Sequence, residues 1–413
     1  MGNEKESSQL FGNLLFPKIF QTFRVAIQPS KLIIALLAVG VICWAGWIMD
    51  LIVGVTYGSQ GESGIFSGLW HAAAKHSHCA IVSLLSLDFP GFADNIAQYA
   101  EIIAGTFKEH YIYCIIFSVV KLAVMCIAGG AICRIAALQL ARGEKPGLTE
   151  ALRFSTKKFT SLFTAPLAPI GIAAFIGMFI FILGLIGNIP RAGELMVGIF
   201  MPLALIAGAL ISVVLIGAVA GFNLMFPAVA YDNSDCFDAI SRSFSYVYAK
   251  PWRMAFYTVT AAIYGAICYV FVRFFAFLLL WVTHWSLQLG ILDGNKKLTA
   301  IWPAPTFADL LRSSESTAGN WAESVAAFLV YLCVLAIVGL VVSFIISFYF
   351  SANTVIYSLM RNKVDNTALD DVYTYSEEAK AEPPTPETEP QSESETQSQP
   401  EPEEKPDSSS SEQ

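Results

Sequence analysis

Three ionisable residues fall inside long apolar runs of this 413-residue chain: Asp50, Lys121 and Arg273. A charge at the centre of a bilayer is costly unless it is paired or hydrated, so each is a candidate for an ion path, a proton relay or a structural pair. Depth follows from helical rise. Asp50 stands 19 residues past Lys31 and Arg273 stands 20 past Arg253, which at about 1.5 Å per residue puts both about 30 Å from the basic ends of their helices. Equal depth predicts an Asp50 to Arg273 ion pair between the first and fifth apolar runs, with Lys121 deeper and short of a partner. Arg134, near the end of its run, can snorkel to headgroup level.

The five histidines, His71, His76, His78, His110 and His284, all fall outside the apolar runs or at their edges, and HAAAKHSHC gathers three of them beside Cys79. His71 and His78 share a helical face, but seven residues apart rather than the one turn of a usual zinc pair, and no acid is interleaved. A polar helix surface is the expectation, and no metal. Walker loop, nucleophile elbow, dinucleotide fingerprint and zincin motif are all missing from the sequence. GGAICRIAA offers small residues for close helix contact, not a cofactor cradle. The reading is a protein without enzymatic activity or cofactor. The basic residues are spread rather than interleaved with exposed aromatics, so no nucleic acid is expected as a partner.

The elements that must position these residues are set by composition: 55% of residues are apolar and 14% charged. About 20 apolar residues in a helix cross the hydrocarbon, because lipid leaves no partner for an open backbone. On that ruler the fold class is all-α, a polytopic membrane protein with about six transmembrane helices over 32–55, 111–138, 163–187, 197–226, 254–281 and 324–351. Pro166, Pro169 and Pro202 predict kinks in the third and fourth. Lys and Arg concentrate before the first span, between the second and third, between the fourth and fifth, and after the sixth, which places both termini on the cytoplasmic side. The first run follows a 31-residue polar lead and has no convincing cleavage site, so it reads as an uncleaved span in a bacterial-type plasma (inner) membrane. Trp252 falls at the inner boundary, and Trp281, Trp285, Trp302 and Trp321 gather at the outer one. Most of the eight cysteines lie within spans, which leaves no disulfide framework.

Residues 377–413 hold twelve acids and two bases, a net charge of −10 against −8 for the whole chain. A segment so acidic and so poor in apolar residues cannot offset its ordering entropy, so 362–413 is expected to be a disordered cytoplasmic tail.

The chain also repeats itself. GLTEALRFSTKKFTSLFTA (147–165) returns 88 positions later as DCFDAISRSFSYVYAKPWR (235–253), aligning Glu150 with Asp238, Ala151 with Ala239 and Ser155 with Ser243. Gly147 or Asp235 is placed as an N-cap and Glu150 or Asp238 as the third helical residue, the layout of a capping box. Leu148, Leu152, Phe159, Leu162 and Phe163 make an apolar stripe, which predicts interfacial amphipathic helices over about 147–161 and 235–250 lying near anionic headgroups. Asp365 and Asp371 repeat the acidic spacing of Glu144 with Glu150 and Asp232 with Asp238, and Phe16, Phe20, Phe23 and Ile27 supply an earlier stripe within the amphipathic segment 1–31. Three parallel hairpin units follow, about 8–140 with an outer insertion at 56–110, 146–230 with a tight outer turn, and 235–361 with an outer loop at 282–322, all within a membrane domain of 32–361.

Asp238, Ala239, Ile240, Ser243 and Trp252, with Glu150, Ala151, Leu152 and Ser155 in the earlier copy, resemble the six-helix membrane domain attached to some bacterial glycerophosphodiester phosphodiesterases and its free-standing relatives. The resemblance covers roughly 130–280 and implies architecture alone, since no soluble segment here is long enough for the catalytic barrel. The functional expectation is a scaffold or accessory subunit that organises membrane lipid or a protein partner through its tail or outer insertion. The alternative is an ion or small-solute transporter using Asp50, Lys121 and Arg273.

Overall fold

The computed structural model describes residues 16–57, 64–86, 88–290, 296–307, 309–311 and 320–373. The lead before residue 16, the acidic tail from 374, and 58–63, 291–295 and 312–319 of the connections lie outside the described residues. After a 3₁₀ turn at Phe16–Gln21 come α1 (Thr22–Ala26), α2 (Pro29–Tyr57), α3 (Ile65–Leu85), α4 (Phe89–Glu109), α5 (Tyr111–Arg142) and α6 (Leu148–Lys157). They are followed by α7 (Phe159–Gly187), α8 (Ala192–Asp232), α9 (Cys236–Ala249), α10 (Pro251–Gly290), α11 (Lys296–Ile301) and α12 (Trp321–Val364), with no strand among the described residues. Six of these, α2, α5, α7, α8, α10 and α12, are long and apolar enough to cross a membrane. The end of the bundle at which α2 begins and α12 ends is called basal here, the opposite end distal.

Helix boundaries follow local chemistry. Gly143, at φ +73°, closes α5 in the left-handed conformation and returns its N–H to the Gln139 carbonyl at 3.1 Å, the terminus for which glycine carries no Cβ penalty. Lys158 separates α6 from α7, so the surface helix expected to run to 161 stops short and its last residues open the next span. Pro166, Pro169 and Pro202 interrupt neither α7 nor α8: helix continues through all three. Membrane helices tolerate proline where neighbouring groups re-satisfy the freed backbone, and Pro166 and Pro169 are buried against protein.

Packing is concentrated at the basal end. Apart from Tyr113, the buried residues of α5 begin at Cys126; apart from Gly193, those of α8 run from Gly217 to Tyr231; and apart from Val334 and Val341, those of α12 run from Ser343 to Arg361. The helices α5, α8 and α12 pack on one another there, with α2 against α5 and α12, α7 against α8 and α5, and α10 against α12. Toward the distal end large apolar side chains are exposed, and the most apolar stretch of α8 has no buried residue. Those faces are dressed for lipid, whereas α8 and α12, at 41 and 44 residues, are about twice the length that hydrocarbon needs and carry their basal turns into a packed protein collar; α10, at 40 residues, has buried positions along its length, from Met254 to His284.

Three short helices cap the collar. α6 packs on α5, α9 on α8, and α1 on α12. The residues that make this possible are small: Ala151 and Ser155 of α6, and Ala239 and Ser243 of α9, are all at most 1% exposed. Ser155 Oγ donates to the Ile127 and Cys126 carbonyls of α5 at 2.7 and 3.1 Å, and Ser347 Oγ of α12 donates to Ala26 of α1 at 2.7 Å. Close approach through small residues and hydrogen bonds is what holds helices together where lipid offers no hydrophobic gain. The expected capping boxes are not formed: neither Gly147 nor Asp235 makes a side-chain cap, and Asp238 instead takes the Arg242 guanidinium one turn along at 3.0 Å. The stripe of α6 is likewise spent on protein, with Phe154 buried and Leu148 and Leu152 against the core.

On the distal side α3 and α4 form a helical pair, Asp88 capping α4 through the Gly91 N–H at 3.1 Å. Past α12 the chain does not leave the core where the tail was expected to begin: Val372 is 1% exposed and belongs to the same compact unit as everything before it.

Candidate functional site

Asp50 stands near the distal end of α2, where its carboxylate accepts the Phe66 N–H at 2.9 and 3.1 Å, the Ser67 N–H at 3.4 Å and the Tyr113 hydroxyl at 2.9 Å. Gly64, the N-cap of α3, has no side chain to offer, and Asp50 supplies the missing acceptors from another helix. A Cβ on Gly64 would come within 2.1 Å of the Asp50 carboxylate.

Arg273 serves a different contact. Its Nε and Nη2 donate to the Phe307 carbonyl at 3.1 and 3.0 Å and Nη1 to the Tyr269 hydroxyl at 2.6 Å, while the Phe307 ring lies 5.5 Å from the guanidinium. Among the described residues no ion pair joins Asp50 to Arg273. Equal depth fixes height but not azimuth: α3 packs against both α2 and α10, taking Asp50 at its N-terminus, while its His78 ring lies 6.5 Å from Phe307. Burial, then the Arg273 charge, hold the His78 imidazole below its ordinary value. Lys121 is exposed partway along α5. His76 lies against Tyr99 and His284 against Trp302, and among the described residues no three His, Cys, Asp or Glu side chains converge as a metal would need.

The densest polar cluster is basal, and its hub is Asp232. This carboxylate, 7% exposed, lies 3.2 Å from Arg242 Nη1 and 3.2 Å from Arg361 Nε, the latter an ion pair not aligned as a hydrogen bond, and it accepts the Tyr357 hydroxyl. Arg361 reaches on to Asp371 at 2.9 Å and Arg242 to Asp238 at 3.0 Å. Tyr246 donates to Asp365; burial, then that carboxylate, hold its phenol well above the ordinary value, so it stays the donor. Three of the four acids in two of the repeated pairs, Asp232, Asp238 and Asp371, are thereby drawn onto two arginines and the fourth, Asp365, onto Tyr246, while Glu144 and Glu150 remain exposed.

Three lysines take equivalent places. Lys158 Nζ donates to the Asn233 carbonyl at the end of α8 at 2.8 Å, Lys250 to the Lys363 carbonyl at the end of α12, and the fully buried Lys31 to Gln139 Oε1 near the end of α5 at 3.0 Å. Each sits just before or just inside an outgoing span; Lys158 and Lys250 meet carbonyls at the negative end of a returning span, whereas Lys31 meets the Gln139 side chain there and the Val25 carbonyl of the preceding turn at 2.9 Å. In sequence, Lys158, Lys250, Arg242 and Arg361 are part of the basic excess that orients the spans, and Lys31 marks the base of the first. The signal that could have found their roles was their regular position one residue before, or two after, a span's start.

Six apolar helices around a basal collar define an integral membrane protein. No protein-family model, no curated protein and no solved structure matches this chain.

Proposed function

We propose that the chain is a non-enzymatic scaffold or accessory subunit of a bacterial-type plasma membrane, with its basal end and both termini cytoplasmic. The observation that carries this reading is the employment of the charges a transporter would need: Asp50 caps α3 and Arg273 clamps the Phe307 carbonyl. Charges held in structural contacts serve packing, whereas a translocation path needs them facing water. A closed basal core supports the same reading, since Ile132 and Cys133 of α5, Val355 and Ile356 of α12 and Tyr257 of α10 are at most 1% exposed.

The finer architecture belongs to this proposal. Three parallel hairpin units account for the pattern in which α6, α9 and α1 each sit on the returning span of the unit before, with α1 closing the circle on α12. The recurrence of Lys31, Lys158 and Lys250 supports it. The resemblance to the membrane domain of glycerophosphodiester phosphodiesterases is compatible with this arrangement and carries no active-site residue across. The partner surfaces proposed are the tail and the α3–α4 insertion, and the lipid surface is the exposed distal belt.

Native mass spectrometry of the protein extracted from its own membrane tests the reading. The expected result is a stoichiometric protein companion that dissociates when residues 374–413 or the α3–α4 insertion are replaced by a neutral linker. Transport has one observation in its favour, the exposed Lys121; a lone chain whose liposome ion or solute flux is lost on Lys121→Gln would overturn the scaffold in its favour.

A further inference from the structure

Between the distal ends of α2 and α5 lies a cleft of about 400 Å³, within the range of small-ligand sites. Its apolar wall is made by Ile52 and Val53 from the last turn of one span and Ile112 and Ile116 from the first turns of the next. Glu109, His110 and Tyr111, at the joint of α4 and α5, line the same cleft. The cleft therefore straddles the depth at which hydrocarbon gives way to headgroups.

We propose that this cleft binds a membrane lipid whose headgroup carries an ammonium group. The apolar wall takes one acyl chain, but a chain gains little by leaving bulk lipid for Ile and Val, so selection must come from the polar end. There the Glu109 carboxylate is exposed and makes no hydrogen bond or ion pair with a described side chain, while Tyr113, deeper in the cleft, is already spent on Asp50. A carboxylate and the Tyr111 ring lining one cleft suit a cation, through charge and through the negative face of the aromatic. His110 adds a ring N–H within reach of a neighbouring phosphate. An anionic headgroup without an amine would set its charge against Glu109. The inference deepens the lipid half of the proposed function without needing a protein companion, so failure to find a companion leaves it standing.

The test uses the full chain in mild detergent, titrated with phosphatidylethanolamine or phosphatidylglycerol of matched chains and read by native mass spectrometry. The wild type is expected to retain one phosphatidylethanolamine with about tenfold preference, the worth of a single interfacial charge pair. Glu109→Gln should erase that preference at unchanged melting temperature, and Ile116→Trp, at a position already half exposed, should fill the cleft and abolish retention of both lipids. Equal retention of the two lipids by the wild type, a preference that survives Glu109→Gln, or retention unaffected by Ile116→Trp would each overturn the proposal.

Discussion

Asp232 holds together residues far apart in sequence, Arg242, Tyr357 and Arg361, at a side chain only 7% exposed. Removing one partner of a buried ion pair typically costs about 3 kcal/mol or more, and less here, because Arg242 keeps Asp238, Arg361 keeps Asp371 and Arg242 is partly in water. Asp232→Asn keeps shape and removes the charge, leaving two arginines facing each other. It is expected to lower the detergent-solubilised melting temperature by several degrees, and Asp238→Asn, whose carboxylate is largely exposed, should do so far less. Thermal unfolding followed by intrinsic fluorescence separates the two, and equal effects would mean that Asp232 is no hub. The acids of this cluster stood out in the sequence because their six-residue spacing recurs, but their partners did not. An arginine in a basic turn looks the same whether it meets headgroups or Asp232, and only the approach of α8, α9 and α12 decides which. Asp50 was legible in the same partial way: its depth pointed to a buried partner, and the partners proved to be the Tyr113 hydroxyl and the amides of Phe66 and Ser67, the last two being groups that every sequence possesses and none advertises.

At the scale of elements, the echo between 147–165 and 235–253 is a packing rule. The matched positions Ala151 and Ala239, Ser155 and Ser243, are buried, whereas Glu150 and Asp238 make no cap. Spacing alone suits either role, since positions three and four apart share a helical face whether that face meets protein or lipid. What separates them is the surface offered by the preceding span. Gly130 of α5 faces Ser155 and Leu162, and a Cβ there would stand 2.6 Å from the hydroxyl and 2.4 Å from the Leu162 methyl. Gly130→Val should therefore lift α6 from α5 and cost about 1–3 kcal/mol, as overpacking does. Gly184→Val, where nothing lies within 4 Å, should cost little beyond its effect on the helix. Limited proteolysis in the 143–147 turn gives the readout: faster cleavage is expected in the first variant alone. The six spans themselves were readable because hydrocarbon thickness imposes a length on apolar runs. The basal overhang of α8 and α12 was not, because beyond the lipid that constraint ends and packing takes over.

For the whole molecule, the decisive boundary is the one between core and tail. With a net charge of −10 in residues 377–413 and −8 overall, the rest of the chain is slightly basic, and composition placed the boundary near 362. Contacts place it later. Arg361 holds the Asp371 carbonyl and carboxylate at 2.6 and 2.9 Å, Tyr231 donates to the Leu369 carbonyl at 2.6 Å, Arg142 to the Val372 carbonyl at 3.3 Å, and Val372 itself is buried. Residues 365–372 thus form a strap across the ends of α5, α8 and α12, one whose anchors are mostly backbone carbonyls and so leave little trace in composition. Two truncations distinguish strap from tail. Ending the chain at Tyr373 removes the acidic segment and is expected to leave the melting temperature within a degree or two while raising the isoelectric point. Ending it at Val364 strips Arg361 of Asp371, leaves the Tyr231 hydroxyl without its acceptor and uncovers the surface beneath Val372. Burial of one valine is worth about 1.5 kcal/mol and each stranded polar group about 1–3 more, so this variant should melt markedly lower. Equal stability of the two truncations would show that the strap adds nothing to the core and that the tail begins where its charge does.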